Sequence, residues 1–255
     1  MNYLASKVVQ VEYPGPGYAL IRFRGERPIQ GRPGQFVMVR GDWGHDPILP
    51  RAFSLVETGK HGAILVRVVG RGTRRLAEMD PGDSISVLGP CGHGFSLPDA
   101  DIRPILVAGG VGVAPLVFLA ERLTAKSKRP VFIYGARTSD DLPLRSRIAA
   151  ATDLVVTTED GSLGEKGVVT TPLERILAES ERARVFSCGP EGMLKAVALA
   201  SDEADTPCEV ALEAPMACGM GTCKGCAVPT VSSDFTYVCS DGPVFDAMEI
   251  YGGAK

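Results

Sequence analysis

The sequence predicts a β plus α/β chain: an N-terminal antiparallel barrel, a parallel-sheet nucleotide-binding domain and a small C-terminal metal-binding domain. Three observations carry that prediction. Residues 1–98 fall into short alternating segments broken by Gly and Pro, the pattern of a small antiparallel barrel. Residues 99–212 alternate apolar β-like runs with helical stretches, the pattern of a parallel sheet with helices on both faces. Residues 213–255 are rich in Gly and Cys and too few to bury a core of their own, so something else must hold them.

In the first zone the expected strands are 6–11, 18–23, 35–39, 63–69 and 84–88, with a further strand carrying Arg51 and one short helix at 74–77. The second zone is expected to place strands at 105–107, 131–134, 154–157 and 185–187. Its helices are expected at 114–123, 142–151, 172–178 and 193–200, with a hinge at 97–104 between the zones. The third zone is expected to hold little regular structure.

Composition excludes several functions. A chain that is 45% hydrophobic and 22% charged is not disordered. A net charge of −3 provides no basic field for nucleic acid or an anionic membrane. The longest uncharged run, 104–120, contains Pro115 and three glycines and falls short of a span of about 18–20 apolar residues, so no membrane crossing is expected. The first residues, MNYLASKVVQVEY, lack the apolar stretch of an export signal, and the expectation is a cytoplasmic protein. In that setting clustered cysteines read as metal ligands rather than as a disulfide framework.

Four of the seven cysteines lie at Cys218-x4-Cys223-x2-Cys226-x12-Cys239, the plant-type [2Fe-2S] spacing. Four thiolates satisfy two tetrahedral irons, and Gly219, Gly221 and Gly225 let the loop backbone wrap closely and aim N–H groups at the cluster. The competing reading is a structural zinc, which favours paired CxxC knuckles; only Cys223 and Cys226 form one. Cys91 and Cys208 read as small buried residues.

Arg51-Ala52-Phe53-Ser54 is followed about twenty residues later by Gly70-Arg71-Gly72-Thr73, just ahead of the short helix. A pyrophosphate needs a bidentate cation, which Arg51 supplies, and unpaired backbone donors, which Gly72 and Thr73 supply at a helix start. Ser54 offers a hydroxyl to a polar ring edge. Further on, the run from Ile105 to Pro115 reads strand, glycine turn (Gly109, Gly110, Gly112) and helix start. It lacks the third glycine of a standard dinucleotide fingerprint. Ser187-Cys188-Gly189-Pro190 follows the fourth expected strand and precedes a helix.

Together, R-x-[FY]-S, G-x-G-T, G-G-x-G-x-A-P and C-G-P resemble the ferredoxin–NAD(P) reductase superfamily over about 50–240. The resemblance implies FAD on the barrel, lined by Arg51, Ala52, Phe53, Ser54, Leu65, Val66, Arg67, Gly72 and Thr73. It implies NAD(H) at Gly109, Gly110, Gly112, Gly189 and Pro190, with Cys188 as the catalytic residue beside the carbon that exchanges hydride. Tyr134-Gly135-Ala136-Arg137 carries no acidic residue for a ribose hydroxyl, and Arg137 can accept a 2′-phosphate. A similar segment occurs with NAD in the family named next, which favours NAD.

The stretch from Met216 to Cys226, with Val238-Cys239-Ser240-Asp241-Gly242-Pro243-Val244-Phe245-Asp246-Ala247, resembles the electron-transfer subunit of dihydroorotate dehydrogenase B. That family implies metal ligands Cys218, Cys223, Cys226 and Cys239, and an FMN-containing catalytic partner that oxidises dihydroorotate in pyrimidine synthesis. It also implies an assembly of two copies of each chain. Small subunits of NADH-dependent ferredoxin–NADP reductase, hydrogenase and sulfite-reductase complexes share the architecture; in the first of these the leading ligand is Asp, where this chain has Cys218. The departures are Ala52 in place of a common Pro, aromatic Phe53, and Glu213-Ala214-Pro215 ahead of the cysteines. The histidines, His45, His61 and His93, sit in no base–nucleophile or metal motif, so substrate oxidation is expected on another chain.

Overall fold

The computed structural model describes residues 2–126, 128–232 and 235–252. The outer limits of the expected zones, residues 1 and 255, lie outside them.

The barrel is built from β1 (Asn2–Gly15), β2 (Tyr18–Gly25), β3 (Phe36–Gly41), β4 (Arg51–Glu57), β5 (Gly62–Arg67) and β6 (Ser84–Cys91), closed in the order β1-β2-β5-β4-β3-β6. All expected strands form. β1 runs well beyond the expected 6–11 because it pairs along one side with β2 and along the other with β6. Every neighbouring pair is antiparallel, and closure leaves no unpaired edge. Helix α1 (Arg71–Ala77) starts earlier than expected. The Thr73 hydroxyl accepts the Val69 and Gly70 amides, each at 3.0 Å, and so supplies the cap that lets the helix begin at Arg71.

The second zone contains β7 (Arg103–Gly109), α2 (Val113–Thr124), β8 (Val131–Ala136), α3 (Arg145–Ala151), β9 (Asp153–Thr158), β10 (Glu165–Lys166), α4 (Thr170–Ala178), β11 (Ala183–Cys188), α5 (Glu191–Glu203) and β12 (Cys208–Ala211). α3 begins three residues later than expected. Leu144 takes a left-handed φ of 61°, which interrupts helical geometry ahead of Arg145. The sheet order is β10-β9-β8-β7-β11-β12-β15, where β15 (Val244–Asp246) comes from the third zone. All pairs are parallel except β12 with β15. The chain moves outward from β7 to β10 and then returns on the other side of β7 to form β11. The gap between the C-terminal ends of β7 and β11 is therefore the topological switch point, where open α/β sheets bind ligands.

The third zone is more ordered than expected. Besides β15 it forms a two-stranded sheet of β13 (Ala227–Val228) and β14 (Thr236–Tyr237), and helix α6 (Ala247–Tyr251) capped by the Asp246 carboxylate on the Met248 amide at 2.8 Å. The barrel has its own apolar core around Val8, Ile21, Phe23, Ile64 and Val66. The sheet is packed on both faces. One face shares a single cluster with Phe36 and Met38 of the barrel and with Cys226, Val238, Cys239, Phe245 and Ala247 of the third zone. Among the described residues no helix is long and apolar enough to cross a membrane.

Candidate active site

A cavity of about 460 Å³ lies against the barrel. Its wall contains Arg51, Ala52, Phe53, Ser54, Leu65, Arg67 and Thr73, so two separate sequence motifs meet there. β4 presents its residues by pairing with β3 in the register Val39–Arg51, Met38–Ala52, Val37–Phe53 and Phe36–Ser54. Gly72 sits beneath the Arg51 guanidinium: a Cβ at that position would lie 2.2 Å from Cζ. Its absent side chain is what seats the cation. Among the described residues Arg51 makes no ion pair: its guanidinium donates to the Leu49 carbonyl, and its neighbour Arg71 takes the Asp46 carboxylate at 2.8 Å. Partial burial and the Arg71 charge lower the Arg51 pKa, a cost that a bound anion would offset. Val66 faces the other way, into the barrel core, because alternate residues of β5 face opposite sides. The sequence pattern did not place Val111 of the glycine turn and Ala114 of α2, or Glu213 and Met216 ahead of the cysteines, in this wall. They close the cavity from the other two zones, contacts that no local pattern announces.

A second cavity, of about 430 Å³, opens at the C-terminal ends of β7, β8 and β9 beside the start of α5. Gly109, Gly110 and Pro190 line it. The glycines do different work. Gly110 has φ of 52° and nothing within 4 Å of its missing Cβ, so it gives a ligand room against bare backbone. Gly112 instead packs the switch point: a Cβ there would lie 2.4 Å from the Cys188 carbonyl oxygen. Gly189 packs against Met193 and Gly109, and lines a neighbouring groove with Glu191 and Tyr251 rather than this cavity. Cys188 ends β11 buried at 2% exposure and is in neither cavity wall. Burial, with a smaller contribution from Glu213, pushes its thiol pKa well above the ordinary value. It is a neutral thiol that shapes the turn, with no thiolate for nucleophilic chemistry at neutral pH.

The two cavities share one wall residue, Arg67. It reaches Asp141 at 3.4 Å and lies over the Tyr18 ring at 5.9 Å, while the Tyr18 hydroxyl donates to the same Asp141 oxygen at 3.2 Å. These contacts tie the barrel to the nucleotide sheet where the cavities meet. Burial, opposed in part by Arg67, pushes the Tyr18 pKa up to about 12, so it remains a donor at neutral pH.

The four cysteines form two pairs. Cys226 and Cys239 have sulfurs 3.2 Å apart, and the Gly221 amide donates to the Cys239 sulfur at 3.0 Å. Cys218 accepts the Cys223 amide at 3.4 Å and the Met220 amide at 3.5 Å. Burial works to raise the Cys218 pKa, but these amide donors and the Cys223 side chain together bring it down to about 6. Burial and the Cys226 thiol push Cys239 up to about 12. Among the described residues no three His, Cys, Asp or Glu side chains converge on one point. Sulfurs arranged two by two fit a pair of irons with two thiolates each better than one tetrahedral zinc. The loop rests on the barrel: a Cβ on Gly219, whose φ is 69°, would lie 2.5 Å from Met38 Cγ. Met38 pairs with Ala52 of the barrel cavity, and Met216, two residues before Cys218, lines that same cavity.

Comparison with known proteins agrees with this arrangement. Residues 213–251 match the family model for the iron-sulfur cluster binding domain of dihydroorotate dehydrogenase B, and residues 106–199 match the oxidoreductase NAD-binding domain. A probable dihydroorotate dehydrogenase B (NAD(+)) electron transfer subunit of Methanopyrus kandleri is 41% identical, covering 91% of this chain and 86% of that protein. The corresponding subunit of Geobacillus kaustophilus is 41% identical, covering 86% of each chain. Among solved structures, one described as the NADH-dependent reduced ferredoxin-NADP oxidoreductase superposes with a TM-score of 0.84 at 28% identity, covering 96% of this chain and 89% of that one. A ferredoxin NADP+ reductase from Neisseria gonorrhoeae, with a TM-score of 0.67 at 20% identity over 80% of this chain and 92% of that one, shares the fold. The chain belongs to the family of dihydroorotate dehydrogenase B (NAD(+)) electron transfer subunits.

Proposed function

We infer that this chain carries electrons between a partner subunit that oxidises dihydroorotate and NAD+, holding FAD, a [2Fe-2S] cluster and the nicotinamide dinucleotide in three adjoining sites. Dihydroorotate loses two electrons and two protons on the partner, and NAD+ gains two electrons and one proton here. A flavin exchanges hydride transfer for single-electron transfer, and a two-iron cluster moves one electron at a time. The carrying observation is that the three sites touch. Arg67 lines both cavities, and Met38 and Met216 lie between the cysteine loop and the barrel cavity.

Each residue then has a task. Arg51 pairs with the FAD pyrophosphate, with Gly72 and Thr73 supplying the helix-start backbone beside it. Ala52, Phe53, Ser54, Leu65 and Arg67 form the flavin wall, and Val66 backs it from the core. Gly109, Gly110 and Pro190 admit the dinucleotide, while Gly112, Cys188 and Gly189 hold the switch-point turns against each other. Cys218 and Cys223 hold one iron, and Cys226 and Cys239 the other. Residues 1–98, 99–212 and 213–255 serve as the FAD, NAD and cluster domains. In this reading the partner contains FMN, the assembly has two copies of each chain, and the complex works in the cytoplasm.

The test is to purify the untagged complex from its native source without oxygen and identify by mass spectrometry what accompanies this chain in equal amount. The expected companion is a flavin-bearing subunit that oxidises dihydroorotate. A glutamate-synthase-like, hydrogenase or sulfite-reducing companion would keep the electron transfer and overturn the substrate.

A further inference from the structure

We propose that Glu159 selects the dinucleotide that lacks a 2′-phosphate, by accepting hydrogen bonds from the adenosine ribose in the sheet cavity. The inference rests on the reading of this chain as an NAD-linked electron carrier and deepens it.

Glu159 follows the last residue of β9 and lines the sheet cavity. Arg137 follows the last residue of β8 and lines the same cavity. The strands pair in the register Gly135–Thr157 and Ala136–Thr158, so the two side chains stand on neighbouring strand ends. Among the described residues neither side chain has a hydrogen bond or ion pair, with each other or with anything else. Both residues are exposed at the cavity mouth, so water satisfies them in the free protein, and together they set the charge that an entering ligand meets. The carboxylate suits a ribose bearing two hydroxyls, and the guanidinium suits a 2′-phosphate.

A second observation points to a ligand at this spot. Thr157 is 1% exposed, lines the cavity, and its Oγ1 has no hydrogen-bond partner. Thr157 and Glu159 are two residues apart along an extended chain and face the same side. The Thr157 Oγ1 is turned away from the cavity and unpaired, a desolvation cost that rotation of the side chain toward a polar ligand group would remove. The loop is also set in advance. The Glu159 amide donates to the Ala136 carbonyl at 3.1 Å and the Asp160 amide to the Arg137 carbonyl at 3.2 Å. The Asp160 carboxylate is occupied with the Ser162 amide at 2.9 Å, and the Ser162 hydroxyl accepts the Ser139 amide at 2.8 Å. Thr158 Oγ1 takes the Leu163 amide at 3.0 Å. The Thr158, Asp160 and Ser162 side chains of the turn are hydrogen-bonded locally, and the Glu159 carboxylate in the cavity wall is not. A preorganised anion repels a phosphate without paying to order itself.

The experiment is calorimetric titration of the full chain, loaded with its own cofactors, with NADH and with NADPH under anaerobic conditions. The expected wild-type result is NADH binding at least tenfold tighter than NADPH. Glu159→Gln is expected to raise NADPH affinity and shrink that ratio at least tenfold, and adding Arg137→Ala to that variant is expected to remove the NADPH gain. Glu159→Asp keeps the charge and is expected to keep the preference. The melting temperature and flavin content of each variant report on folding independently of nucleotide binding. NADH binding with no rise in NADPH affinity in Glu159→Gln would overturn the role of Glu159 and leave the electron-transfer reading intact. A wild-type chain that binds neither dinucleotide would overturn both.

Discussion

The barrel and the C-terminal segment are stabilised in opposite ways. The barrel closes on itself and buries its own apolar side chains, among them Phe23, Ile64 and Val66. Full burial of such side chains contributes about 1.5–3 kcal/mol each. The segment after Ala211 has strands of two and three residues, and its buried side chains belong to a cluster shared with the sheet and with Phe36 and Met38 of the barrel. It folds onto surfaces made by the other two zones, with four thiols gathered at its centre. A region with its own core tolerates loss of its ligand, whereas a region without one depends on its ligand and neighbours for order.

The sharpest way to break this comparison is Cys223→Ser. Cys223 is exposed, so the exchange removes a ligand without opening a core. The expected outcome is complete loss of the cluster's visible absorbance and electron paramagnetic resonance signal, with FAD retained. Faster hydrogen exchange is expected from residues 213–252 and unchanged exchange from the barrel. Loss of flavin from this variant would show that the two regions are not independent.

Arg51→Ala probes the barrel from the other direction. Removal of a charge-assisted pair is expected to weaken FAD binding by about 1.5–3 kcal/mol, roughly tenfold to a hundredfold, with the cluster signal intact. Flavin content after dilution and gel filtration reads it. Gly112→Ala tests the sheet domain on which both regions rest, since the new methyl meets the backbone carbonyl of Cys188 at the switch point. Overpacking there is expected to cost about 1–3 kcal/mol, lowering the melting temperature by about 2–4 °C per kcal/mol for a chain of this size. Gly192→Ala, where nothing lies within 4 Å, is the matched control with no such loss. The smallest effect is expected from Tyr18→Phe. It deletes the hydrogen bond to Asp141 and is expected to cost about 0.5–1.5 kcal/mol, read from the denaturation midpoint.

Features carried by local spacing were legible in the sequence. The cysteine pattern, the glycine turn after β7 and the turn after β11 were all recognised, and the strands of both larger zones formed near the expected positions. Features made by tertiary pairing were not. β12 and β15 have four and three residues, too short to show a period; β12 exists because it pairs with β11 on one side and β15 on the other, and β15 because it pairs with β12 at the sheet edge. Gly72 reads as a backbone donor in the sequence, yet its larger structural role is the space it leaves for Arg51 at the start of β4. The packing of Gly112 against the Cys188 carbonyl was not legible either, because the two meet only where β7 and β11 pair. Glu159 and Thr157 drew no attention because only the register of β9 against β8 brings them to the cavity.

The central claim is that this chain carries electrons but does not itself oxidise dihydroorotate. Anaerobic titration of the isolated, cofactor-loaded chain, followed by flavin absorbance and the cluster's paramagnetic signal, tests it most directly. NADH is expected to bleach the flavin and reduce the cluster, and dihydroorotate is expected to change neither until the catalytic partner is added. Bleaching by dihydroorotate alone, or a chain that NADH leaves fully oxidised, would contradict the account.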